Sequence, residues 1–165
     1  MPNLIVTHPL APEDNLALYR QIGNSFGREE EAESLCERFS SALSEVKSKP
    51  FEERNVLYLI WKEPWMTVSR DTYVSRTLAL AGLRTMPANA GARYPELKDL
   101  NVDGTELILL SSEPYRFTEK HRKELERHQP LPVRLIDAEM TSWYGPRAIA
   151  GLVYLAQFSS GLSSR

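Results

Sequence analysis

Cysteine is almost absent from this sequence, with Cys36 alone among 165 residues. A single thiol excludes an internal disulfide and any metal centre built from several cysteines, and Cys36 falls on the apolar stripe of a helix, where a free thiol acts as a small core residue. An excess of charge of one sign is lacking too. The 20 Lys and Arg stand against 22 Asp and Glu, a net charge of −2 with a pI near 6.0, so no general attraction to nucleic acid or anionic lipid is built in. No run approaches the roughly 20 apolar residues of a membrane span, and MPNLIVTHPLAPED lacks the basic start and apolar core of a signal peptide. Taken as written, the chain is expected to stay in the cytosol. There is no internal repeat, and the polar tail from Ser159 to Arg165 is expected to fray.

Catalytic signatures are also missing: no nucleophile elbow, phosphate-binding glycine loop, dinucleotide fingerprint or metal-binding histidine pair. His121 and His128 lie seven apart on a densely charged helical stretch without a third ligand, the pattern of a solvated surface. Glu63 and Glu113 occupy separate strand-end loops and are the one pairing open to acid–base chemistry, with exposed loop carboxylates as the plainer reading. An enzyme therefore ranks behind a binding module and a purely structural domain.

What is present is a core. With 42% hydrophobic and 25% charged residues, the chain reads as one globular domain. Its centre is Asn55 to Tyr73, NVLYLIWKEPWMTVSRDTY. Val56 to Trp61 is apolar without interruption, which belongs to a strand covered on both faces, usually in a parallel sheet. Lys62, Glu63, Pro64 and Trp65 follow just past the strand's carboxyl end, where open α/β sheets bind ligands.

Upstream, Asn3 to Thr7 predicts a short strand. Pro12, Glu13 and Asp14 start a helix with Leu16, Tyr19, Ile22 and Phe26 inward. Arg28 to Lys49 is the clearest helix, with Ala32, Leu35, Cys36, Phe39, Ala42, Leu43 and Val46 on one stripe, acidic residues at its amino end and lysines at its carboxyl end. At about 20 residues it is roughly 30 Å long. Downstream, a helix from about Arg70 to Ala81 is capped near Ser69 and closed by Gly82. Leu83 to Leu100 is irregular, with a helical turn near Glu96 to Leu100. Glu106 to Leu110 and Val133 to Ile136 are further strands, separated by a polar helix from Thr118 to His128. A last helix runs from Pro146 to about Phe158 with Ile149, Leu152, Val153 and Ala156 inward.

Alternating strands and helices imply right-handed βαβ units and a small parallel sheet whose strand-end loops emerge on one edge. Three of those loops repeat a polar, proline and aromatic pattern. Their convergence predicts a cleft lined by Trp61, Trp65, Tyr115, Trp143 and Tyr144, with Lys62, Arg93 beside Tyr94, and Arg147 as anchors for an anionic group.

The blocks VLYLIWKEPWMTVSRDTYVSRTLALAG, RYPELKDL, ELILLSSEPYRF and VRLIDAEMTSWYGPR, in that order, resemble the carboxyl-terminal lobe of periplasmic substrate-binding proteins of ABC importers with a helical backbone. The likeness is nearest to the cobalamin and iron-siderophore receptor type. Arg28 to Lys49 then resembles the long interdomain helix, and NLIVTHPLAPEDNLALYRQIGNSFG the last strand and helix of the amino-terminal lobe. The resemblance implies residues 1–27 as a remnant of that lobe, 28–49 as the interdomain helix and 50–165 as a three-layer α/β lobe.

It further implies a non-catalytic receptor that takes cobalamin, haem or a ferric siderophore and delivers it to an ABC permease, with a periplasmic location. Glu113, in SSEPY, would occupy the carboxyl-lobe position that docks on permease arginines. Trp65 is expected to be the main aromatic contact and Glu63 an ordinary carboxylate. Most of the amino-terminal lobe has no counterpart here. The expectation is either a truncated receptor or a one-lobed relative that pairs with a second copy through the opening strand and the long helix.

Overall fold

Val56, Leu57, Tyr58 and Leu59 are buried on both faces, and a strand covered on both sides must lie inside a sheet. The computed structural model describes residues 4–89 and 91–163. Its strands are β1 (Arg54–Leu59), β2 (Trp65–Met66), β3 (Leu83–Thr85), β4 (Glu96–Leu97), β5 (Leu107–Ser111) and β6 (Val133–Ile136). Its helices are α1 (Asp14–Phe26), α2 (Glu29–Ser48), α3 (Tyr73–Ala79), α4 (Glu119–His128), α5 (Ala138–Ser142) and α6 (Arg147–Ser163). The main sheet is wholly parallel in the order β3-β1-β5-β6, and β2 and β4 form a separate antiparallel ribbon. This is the α/β lobe with a small parallel sheet and a long preceding helix that the alternation of elements predicts.

Alternate residues of β1 and β5 face opposite layers. Val56, Tyr58, Leu107 and Leu109 pack with Leu78 of α3 and Leu155 of α6, while Leu57, Leu59, Ile108 and Leu110 pack with Phe117 and Leu125 of α4. Because α3 and α4 cover opposite faces, the chain winds away from β1 in two directions, and the switch falls between β1 and β5. A further layer lies outside α6. Ala148, Leu152 and Ala156 meet Cys36, Phe39 and Val46 of α2, so α6 is packed on two sides. The predicted stripe of α2 is buried, with Leu35 half-buried. Cys36 lies in that core, and burial raises its thiol pKa above the usual range.

Several expectations are corrected. Leu4 to Thr7 form no strand, and Leu4 and Val6 are 86% and 74% exposed; Asn3 lies outside the described residues. Backbone N–H groups just beyond, at Leu10 and Ala11, go to Asp14 Oδ2 rather than to any ladder. In α1 the inward face is Asn15, Leu18, Tyr19 and Gly23, while Ile22 and Phe26 are exposed. Gly23 explains the rotation: a Cβ there would stand 2.5 Å from Ala32 Cβ, so the closest approach of α1 to α2 is set at that glycine.

The segment expected to be irregular contains β3, and the expected helical turn near Glu96 is β4. Thr67 and Ser69 N–H donate to the carbonyls of Pro95 and Arg93, which draws this stretch out as an extended partner. Thr72, not Ser69, caps α3 by accepting from Ser75 N–H. The tail expected to fray is helical from Ser159 to Ser163, and Ser164 and Arg165 lie outside the described residues. Ser159 is buried in α6 and donates to Ala81 O at 2.7 Å. Val153 is exposed, and its expected inward place is taken by Ala148 and Leu155.

Candidate ligand cleft

A cleft of about 560 Å³ opens at the carboxyl edge of the sheet, against the ends of β1 and β5. Its position is the switch point, where two loops diverge to opposite faces and leave a crevice between them. β1 supplies Tyr58, and Ile60 and Trp61 follow at its end; the β5 end supplies Glu113 and Pro114; Met66, Val68, Val74, Tyr94 and Ser142 complete the wall. The volume falls within the ordinary range for small-molecule sites, and the lining is mostly apolar with few polar atoms.

Local hydrogen bonds hold this edge. Ser111 Oγ lies 2.8 Å from both Leu59 O and Glu113 O, tying the two strand ends together. Ile60 N–H donates to Met66 O and Met66 N–H to Trp61 O, which folds the aromatic loop back on β1. Thr67 Oγ1 donates to Tyr58 O at 2.7 Å. At the floor, Tyr58 Oη meets Thr141 Oγ1 at 3.2 Å, and burial holds this phenol protonated far above its ordinary pKa. Asp137 caps α5 by accepting from Glu139 and Met140 N–H, which sets Thr141 and Ser142 toward the cleft.

The expected aromatic walls do not all converge. Trp61 lines the cleft at 39% exposure, with Tyr115 set edge-on behind it at 5.6 Å between centroids. Trp65 turns away. It stacks on Phe117 at 6.2 Å and, with Lys62 above its ring, borders a different depression of about 380 Å³ that also includes Asp99, His121 and Glu124. The two-residue ribbon β2–β4 causes this, because pairing Trp65 with Leu97 directs the indole to the opposite side from Met66, which reaches the cleft. Trp143 and Tyr144 are about half exposed and border a separate shallow depression with Ser142.

The basic residues are likewise engaged elsewhere. Lys62 lies 3.7 Å from Glu124 Oε1. Arg147 bonds Glu139 at 3.1 Å and lies over Trp143, and Arg93 lies over Tyr94 with Nη1 3.4 Å from His8 Nε2. None of the three lines the cleft. Glu63 is exposed at its loop tip, with a left-handed φ of 65°, and does not line the cleft either. Glu113 does. The residue is partly buried, and its Oε1 accepts from Trp143 Nε1. His121 is no plain surface residue: its Nδ1 accepts from Thr118 N–H at 3.0 Å and closes a capping box at the start of α4. Sequence reasoning missed Tyr58, Ile60, Met66, Val68, Val74, Pro114 and Ser142 as lining residues. The one available signal was the alternation along β1, which puts Tyr58 and Ile60 on a common face.

No family model matches the sequence, and no curated protein matches it. Solved structures do match the fold. The periplasmic vitamin B12 binding protein BtuF of Vibrio cholerae superposes with a TM-score of 0.71 at 13% identity, over 96% of this chain and 65% of its own. S. aureus IsdE, complexed with heme, gives 0.66 at 15%, over 90% and 65%. A possible iron-binding, periplasmic solute-binding protein of Staphylococcus epidermidis gives 0.75 at 13%, over 93% and 64%. The chain thus has the fold found in periplasmic binding proteins and spans about 65% of the length of these structures. Among the described residues no helix is long and apolar enough to cross a membrane.

Proposed function

We propose that the chain supplies the ligand-facing lobe and long helix of the substrate-binding component of an ABC-type importer, binding a corrinoid, haem or iron chelate without catalysing a reaction. The observation that supports this is an apolar cleft of about 560 Å³, walled by Trp61 and Tyr94, at the switch point of a sheet with the binding-protein fold. A flat macrocycle buries its faces against such aromatic walls, and Trp61 offers a ring already held by Tyr115. Residues 1–27 fit as the remnant of an opposing lobe, 28–49 as the interdomain helix and 50–165 as the carboxyl-terminal lobe. The partner is a membrane permease and the location periplasmic. Glu113 is taken as a wall of the cleft in this reading.

Titration with cyanocobalamin, haemin and a ferric siderophore, followed by tryptophan fluorescence, tests the reading. At least one should quench the wild type, and Trp61→Ala should weaken that binding about tenfold or more. No response to any of them at high micromolar concentration would sink ligand binding by this chain.

A second reading, self-association without ligand, is favoured by Leu4, Val6 and Phe26, which are 86%, 74% and 72% exposed. Sedimentation velocity decides it. A concentration-dependent dimer that Phe26→Ser weakens supports the pairing, and a monomer at all concentrations removes it.

A further inference from the structure

We propose that Glu113 determines the specificity of the cleft, admitting macrocycle edges that donate hydrogen bonds, such as primary amides, and rejecting edges that carry carboxylates. The inference rests on the ligand-binding reading above and narrows it. Glu113 is the one carboxylate among the residues that line the cleft, and no lysine, arginine or histidine stands among them. Its Oε1 is committed to Trp143 Nε1, and no ion pair among the described residues includes it. Oε2 is the carboxylate oxygen left for an entering ligand in this proposal.

The cations nearest in the sequence pattern are turned to other partners. Arg147 is bound to Glu139 and lies over the Trp143 ring, Lys62 faces Glu124, and Arg93 lies over Tyr94 toward His8. A ligand carboxylate entering beside Glu113 would therefore meet a like charge in apolar surroundings, with the nearby cations already paired to other carboxylates or rings and none lining the cleft. That arrangement discriminates by repulsion as much as by attraction. A primary amide at the same place donates N–H to Oε2, a charge-assisted hydrogen bond. Trp143 restrains the carboxylate, because its indole N–H holds Oε1.

Metal-free protoporphyrin and its diamide isolate the edge chemistry, since they share one flat ring and differ only in the two side-chain ends. Each is titrated into wild type and Glu113→Gln, with tryptophan quenching as the readout. A glutamine side chain keeps a carbonyl acceptor for Trp143, and matching circular dichroism spectra establish that the variant is folded. The wild type is expected to bind the diamide about tenfold more tightly than the diacid, and Glu113→Gln to bring the two affinities within about threefold by improving the diacid. Equal wild-type affinities, or a preference for the diacid, overturn the proposal while leaving ligand binding intact. A preference that persists in Glu113→Gln assigns the selectivity to another residue and overturns it as well. Failure of both porphyrins and of cyanocobalamin to bind wild type removes the ligand-binding reading itself, and this inference with it.

Discussion

Gly151→Ala is expected to lower the stability of the fold by about 3 kcal/mol or more, the largest effect of any single added methyl. Gly151 lies where α6 crosses α5, and a Cβ at this position would overlap Met140 O and stand 3.2 Å from Met140 C. Both are backbone atoms, so no rotamer change relieves the overlap and the helices must separate. They have little room to do so. Leu152 and Leu155 hold α6 between α2 and the sheet, at 2% and 0% exposure, and shifting the helix opens gaps in both layers. Gly161, in the same helix, is the internal control, because a Cβ there would meet nothing within 4 Å. Gly161→Ala should be neutral or stabilising by up to about 1 kcal/mol, since alanine restricts the unfolded chain. Urea unfolding followed by circular dichroism compares the two, and an unchanged midpoint for Gly151→Ala would show that α5 and α6 do not meet there.

Asn15→Ala should cost about 3 kcal/mol, although it shortens only one side chain. Asn15 is fully buried and links α1 to two distant parts of the lobe. Its Nδ2 donates to Pro12 O at 2.8 Å and to Tyr73 Oη at 2.9 Å, and its Oδ1 accepts from Gly145 N–H at 2.7 Å. Alanine leaves all three partners without Asn15, two of them across long sequence separations. Tyr19 Oη donates to Gly145 O at 2.8 Å, so this loop is gripped on both its peptide groups. A double-mutant cycle with Tyr73→Phe sharpens the test. Tyr73→Phe should be less costly in the Asn15→Ala background, with a coupling of about 1 kcal/mol. Additive losses would mean that the two side chains do not depend on each other.

How much was legible follows from what each signal measures. The apolar run Val56–Leu59 and the stripe of α2 report burial, and burial is set by composition over many residues, so β1, β5, β6 and the long helix were readable. Short elements carry too few residues for that. Leu83–Thr85 joins the sheet because Gly82, at φ 78°, turns the chain beside β1 and Arg54 N–H bonds its carbonyl. Nothing in the three residues themselves announces this. Leu4–Thr7 shows the reverse, apolar and β-branched residues with no ladder to join. The site was readable to the level of its edge but not its residues. Trp61 and Trp65 are four apart in one aromatic loop, yet the pairing of Trp65 with Leu97 sends their rings into different depressions. That pairing is a tertiary event, decided about thirty residues away. Glu113 was legible as a carboxylate at a strand end, while its pairing with Trp143 was not.

The two-sided packing of α6 has a consequence for the order in which the molecule can be made. The face of α2 that meets Ala148, Leu152 and Ala156 stays open until they arrive, so a nascent chain carries a partly uncovered stripe while about a hundred further residues are synthesised. The α1–α2 pair can form early, from neighbouring sequence, but the face it offers the lobe stays wet. The sheet is in the same position, because Leu155 and Ile136 complete a layer begun by Val56 and Tyr58. Cooperative closure therefore waits for the emergence of the last helix, which makes it the step at which folding on the ribosome either succeeds or leaves two sticky surfaces exposed together.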